Sequence, residues 1–243
     1  TPLYSSAASD VYKRQVGEGT PLIGPFQGDP DRQRDLLDRG VAIHALFESV
    51  EWIELAARIG GGETPRRDAL EALLRSALPA RRIAPSGDAW LDETLTLFER
   101  AVELPAIRAI LSKASWLTRH RSDAAAKWAG GSDARALESA THASSVVLEV
   151  HRELGFLRLT DRGVQQGSID RLVVARHHGR AIAAEIIDYK TGGRNVDLGE
   201  RSAHYAAQLA AYRAAVAEQF DLKPEAIVTR LVFVERGEVV VGG

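Results

Sequence analysis

Leu37, Val41, His44 and Phe47 recur at three- and four-residue intervals, which predicts an amphipathic helix from Asp31 to about Arg58 with one apolar stripe. The run GGGETPRRD at 60–68 breaks that pattern, its glycines and Pro65 standing just ahead of the next helix start. Helical periodicity resumes over about 66–78, 88–103 and 104–113, with APSGD at 84–88 as the turn between the first two. The polar, alanine-rich stretch 121–140 reads as a loose helix or a loop, and AGGSD at 129–133 favours an interruption.

After Ala143 the texture changes. SSVVLEVHREL and GFLRL, residues 144–159, are rich in β-branched and large apolar residues, as strands are. The segment 163–192 reads as two strands joined by a turn near HHGR, where Gly179 can supply a positive φ. Residues 200–220 form a strong helical pattern whose stripe is Leu209, Tyr212, Val216 and Phe220. AIVTRLVFVE and EVVVG then make a strand pair turning at Arg236–Gly237. The order predicts an α+β (α/β) fold: a helical N-terminal half followed by a mixed central β-sheet flanked by helices. The expected division is 16–142 for the helical part carrying His44 and 143–243 for the strand-rich core. Residues 1–15, TPLYSSAASDVYKRQ, differ from the alanine- and arginine-rich remainder and resemble a translated linker. They are expected to be non-native, the chain then being part of a longer protein.

Composition narrows the chemistry. The chain has 243 residues, 45% hydrophobic and 26% charged, with a net charge of −2, enough to build a real core but giving no whole-chain basic field. No apolar run approaches the roughly 20 residues of a membrane helix, so a cytoplasmic protein with no membrane partner is expected. Absence of cysteine excludes disulfides, thiolate zinc sites and cysteine-ligated iron–sulfur clusters. A metal would have to sit on carboxylates, carbonyls or histidine. The clusters RHRSD and RHHGR read as solvated charged faces, with His177 and His178 in a turn facing solvent.

The run AAEIIDYKTGG, residues 183–193, carries the sharpest chemical signal. An apolar strand ends by presenting Asp188 and Lys190, which two-residue spacing puts on one face. Asp170, in GSID on the preceding strand, stands at an unequal distance from the shared turn, so a bulge or longer turn is needed to bring the carboxylates together. Two converging carboxylates repel unless a cation lies between them. Hard oxygen donors suit Mg²⁺, for which Mn²⁺ can substitute. Lys190 could orient or deprotonate a nucleophile there, or stabilise charge on an attacked phosphate. A simple surface ion pair is the competing reading of Asp188 and Lys190, and a packed core histidine that of His44.

GSID, IIDYKTG and YAAQLAAY, in that order, resemble the nuclease motif of the PD-(D/E)XK superfamily. The likeness is greatest to the RecB/AddA-type nuclease domain at the C-terminal end of UvrD-like bacterial helicase–nucleases. Gly167 with Asp170, Asp188–Tyr189–Lys190, and Gln208 with Tyr212 carry the resemblance. RGVAIHALFE adds Arg39, Gly40, His44 and Glu48, and ELGF matches a further element through Glu153 and Phe156, with Gly155 where proline is usual. The resemblance implies that His44, Asp170, Asp188 and the Tyr189 carbonyl bind the metal and that Lys190 assists the attacking water. It implies that Tyr205, Gln208 and Tyr212 contact DNA and that Glu153 lies just behind the ligands. The activity implied is Mg²⁺-dependent phosphodiester hydrolysis, exonucleolytic rather than endonucleolytic, on single-stranded DNA during double-strand-break repair and recombination. The implied partners are helicase domains of the same parent chain and a partner subunit, with a nucleoid-associated location. The chain itself lacks a phosphate-binding G-x-x-x-x-G-K-[ST] loop. A nuclease-like module that binds DNA or acts as a scaffold without cutting is the alternative.

Overall fold

The computed structural model describes residues 30–56, 67–127, 146–161, 163–191 and 197–242. The leader 1–15, the glycine break near residue 60 and AGGSD lie outside them. The helical half comprises α1 (Pro30–Ser49), α2 (Ile53–Ala56), α3 (Arg67–Ala77), α4 (Asp88–Glu103), α5 (Pro105–Leu111) and α6 (Lys113–Lys127). Strands β1 (Val146–Thr160), β2 (Gly163–His177) and β3 (Arg180–Lys190) follow, then α7 (Leu198–Phe220), β4 (Ile227–Phe233) and β5 (Glu238–Gly242).

The sheet has the order β1-β2-β3-β4-β5. Every pairing is antiparallel except β3 with β4, which is parallel because α7 carries the chain back across the sheet. Strands β2 and β3 are joined through His178 and Gly179, both at positive φ (50° and 79°), the combination that a tight two-residue hairpin requires. All of β4 is buried, as expected for a strand covered on both faces. On one face Ile187, Tyr189 and Val232 pack with Ile43, Phe47, Leu74 and Phe98 of the helical half. On the other Ile186, Leu231 and Phe233 pack with Leu209, Tyr212 and Val216 of α7. The sheet is therefore the middle layer of one structure, and its catalytically suggestive strand ends lie between the two helical layers.

Four details refine or correct the sequence expectation. The first helix stops at Ser49, where the chain turns before α2. Its buried stripe is Ile43, Leu46, Phe47 and Val50, whereas Leu37 and Val41 are 52% and 42% exposed. The sheet takes the neighbouring apolar row of the helix, which moves His44 from the centre of the stripe to its margin. Helix α6 runs through Lys127, so the first part of 121–140 is helical. Within RHRSD, Arg119 and His120 are not a solvated face: His120 is 1% exposed and Arg119 donates to the buried carboxylate of Glu185 at 3.2 Å. No described helix is long and apolar enough to cross a membrane.

Candidate metal centre

Strands β2 and β3 are brought into register by a shift between Ala175 and Arg176. Arg171 then faces Ile187, and one step further along the two strands Asp170 stands opposite Asp188. The bulge that the sequence required is therefore present. Asp170 Oδ2 accepts from the Tyr189 backbone N–H at 2.7 Å, tying the two strand ends together where their ladder stops.

Strand β1 contributes from the other side. Arg152 pairs with Arg171 and Leu154 with Ile169, which leaves Glu153 facing Asp170. The arginines reach carbonyls at the C-terminal end of α1 and just past it, whereas Leu154 and Ile169 lie in the core beneath α7. Both strands thus exchange their inward and outward faces at Glu153 and Asp170. The positive φ of Glu153, 49°, marks the inversion, a conformation uncommon for a non-glycine residue within a strand.

Helix α1 delivers His44 to this place. Its Nδ1 lies 3.4 Å from Asp170 Oδ2. His44, Glu153 and Asp170 each offer a donor atom within 4.8 Å of the others. Glu153 also accepts from Ser168 Oγ at 3.1 Å. Close packing makes the approach possible. A Cβ on Gly40 would fall 2.7 Å from Thr191 Oγ1, so only glycine lets α1 come this near the end of β3. On the next turn Phe47 stacks on Tyr189, with centroids 4.3 Å apart.

Asp188 and Lys190 leave the same side of β3. Lys190 Nζ lies 2.6 Å from Asp188 Oδ2 and donates to Gln208 Oε1 at 3.3 Å. Gln208 Nε2 faces Asp188 Oδ1 at 3.5 Å and the Tyr212 hydroxyl at 2.6 Å. The ring of Tyr205 lies under the ammonium, 4.2 Å from Nζ to centroid. Tyr212 is buried, its ring against Phe156. Gly167 is the glycine that makes this possible, since a Cβ there would fall 2.7 Å from the Phe156 ring.

The charges are mutually tuned. Burial and the neighbouring Asp170 push Asp188 up to about 6, against the pull of Lys190 and His44. Burial also opposes ionisation of Asp170, but His44 and Lys190 outweigh it and hold its carboxyl below the ordinary value. His44 loses basicity through burial and regains more from Asp170, ending above its usual value. Lys190 behaves alike: burial lowers it, Asp188 raises it further, and it stays an ammonium at neutral pH. Burial, then the charge of Asp170, raises Glu153. Two buried acids, one pushed below and one above the ordinary carboxylate value, beside an imidazole make a site that a divalent cation would relieve.

The sequence profile of the PD-(D/E)XK nuclease superfamily matches residues 12–240. The chain belongs to that superfamily. Members of this superfamily are mostly nucleases that use divalent metals, and this one brings together an imidazole and two carboxylates, from His44, Glu153 and Asp170, that could hold such an ion. No curated protein matches the chain. Within this PD-(D/E)XK chain, Asp188, Lys190, Gln208, Tyr205 and Tyr212 form one connected group. His44, Glu153 and Asp170 form a second, which meets the first where Asp170 accepts from the Tyr189 backbone N–H between Asp188 and Lys190. Glu153 stands beside His44 and Asp170 in that group. Arg171 was not singled out by the sequence; a charge directly after Asp170, inside the apolar run of β2, was the signal for it.

Proposed function

We propose that this domain hydrolyses phosphodiester bonds of DNA with Mg²⁺, which Mn²⁺ can replace, bound by His44, Asp170, Asp188 and the Tyr189 carbonyl. The observation that carries the reading is the convergence of Asp170 and Asp188 from adjacent strands with Lys190 2.6 Å from Asp188. A divalent cation in this place would polarise a phosphate oxygen and lower the pKa of water. Lys190, held 2.6 Å from Asp188, serves to orient the attacking water and to offset charge on the phosphate. Gln208 holds Lys190 in that position, and the buried Tyr212 hydroxyl fixes the Gln208 amide. Tyr205, half-buried over Lys190, and Gln208 are the residues placed to meet a DNA strand, with Tyr212 acting behind them. Glu153 supports His44 and Asp170 from β1.

Single-stranded DNA is the favoured substrate and exonucleolytic cleavage the favoured mode. The net charge of −2 suits a module fed by an attached helicase rather than one that captures DNA by counterion release. A RecB/AddA-type helicase–nuclease acting in bacterial double-strand-break repair, with a partner subunit and a nucleoid-associated cytoplasmic location, is the context proposed. Cleavage of a labelled single-stranded oligonucleotide with and without Mg²⁺ tests the activity. Asp188→Ala should abolish cleavage while the circular dichroism spectrum stays native; unchanged turnover would end the assignment.

A further inference from the structure

Arg171 is 1% exposed, yet it is fully charged under physiological conditions. Its Nη1 donates to the Val50 carbonyl at 2.8 Å and its Nη2 to the Glu51 carbonyl at 2.5 Å, while its guanidinium lies 5.2 Å from the Trp52 ring. Its partner across the β1–β2 ladder, Arg152, donates to the Glu48 carbonyl at 3.0 Å. Two facing arginines thus take three carbonyls at the C-terminal end of α1, where unsatisfied C=O groups and the negative end of the helix dipole favour cations.

Asp170 and Arg171 are consecutive at the point where β2 inverts its faces, and both side chains end on the same helix. Asp170 takes the imidazole of His44, and Arg171 takes the carbonyls of Val50 and Glu51 just past Ser49, the nearer one six residues and ~9 Å further along the helix axis. The face inversion at Glu153 and Asp170 is what lets Arg152 join from β1. We infer that Arg171, with Arg152 in support, is a positioning residue: it clamps the end of α1 to the sheet so that His44 Nδ1 is held against Asp170. Resting on the metal site proposed above, the clamp sets how well His44 coordinates rather than touching substrate itself.

The test is Mn²⁺ binding followed by calorimetry and by the histidine ¹⁴N coupling in pulsed electron paramagnetic resonance, on the chain as it stands. Arg171→Met should weaken Mn²⁺ binding about ten- to a hundredfold, the range seen when groups behind metal ligands are removed, and should weaken the ¹⁴N coupling. Arg171→Lys, able to reach one carbonyl, should recover part of both. Arg152→Met should act in the same direction with smaller effect, and it supplies the reading if Arg171→Met does not fold. Arg158→Met, which removes an arginine bound to Glu218 on the other face of the hairpin, controls for general loss of stability and should leave Mn²⁺ affinity unchanged. Folded Arg171→Met or Arg152→Met protein with wild-type affinity and wild-type ¹⁴N coupling overturns the clamp alone. A wild-type ¹⁴N signal that persists in His44→Ala overturns the metal reading beneath it.

Discussion

Glu185→Gln should destabilise the fold without touching the metal centre. Glu185 is 0% exposed on β3, and its carboxylate receives Arg230 Nε, Arg119 Nη2 at 3.2 Å and His120 Nε2 at 3.6 Å. Burial alone would raise its pKa, but His120, Arg119 and Arg230 together hold it far below the ordinary carboxylate range. Glutamine keeps the shape and one acceptor but removes the negative charge that Arg119 and Arg230 share at Glu185. Removing one member of a buried ion pair costs about 3–5 kcal/mol, and the lower end applies because Arg119 remains 21% exposed. At roughly 2–4 °C per kcal/mol for a chain of this size, Tm should fall by roughly 6–12 °C at pH 7. A folded pKa below the unfolded value means that the stabilisation is complete above about pH 4.5 and is lost as pH falls toward the folded pKa. Urea unfolding of both proteins should therefore show a gap that is largest at neutral pH and narrows below pH 4.5. A gap under about 1 kcal/mol at pH 7, or one constant with pH, would refute the reasoning.

Two further outcomes follow from the site. Gly167→Ala would set a methyl 2.7 Å from the Phe156 ring and 3.5 Å from Tyr212. Overpacking of that kind costs about 1–3 kcal/mol, and because Tyr212 holds Gln208, kcat should fall along with the thermal midpoint; a variant with native stability and turnover would show that the close contact is not needed. His44→Ala should weaken Mn²⁺ binding by at least about tenfold in calorimetry while α1 stays folded, since the imidazole lies at the margin of the buried stripe; wild-type affinity would return His44 to a packing role.

Much of this was readable from the residues because local pattern and tertiary role agreed. The apolar run of β3 ends at Ile187, and Asp188 and Lys190 project together beyond it as the spacing demanded. The α7 stripe was correct at Leu209, Tyr212 and Val216, though Phe220 is only partly buried. Two things were not readable. Alternation assigns faces only while a strand stays regular, and the inversion at Glu153 and Asp170 defeats any such count, which hid the pairing of Glu153 with Asp170 and the reach of Arg152 and Arg171. The first helix carries two adjacent apolar rows, and only the packing of Ile43 and Leu46 on the sheet decides which one is buried. Charged residues in apolar company, Glu185 and Arg171, were visible as exceptions, but their partners come from segments far away in the chain.

Diffraction at the manganese absorption edge from crystals soaked in Mn²⁺ addresses the central claim most directly. An anomalous peak bonded to Asp170, Asp188 and His44, about 2.0–2.3 Å from their donor atoms, is the result expected. No peak there at saturating Mn²⁺, or a peak on other residues, would contradict it.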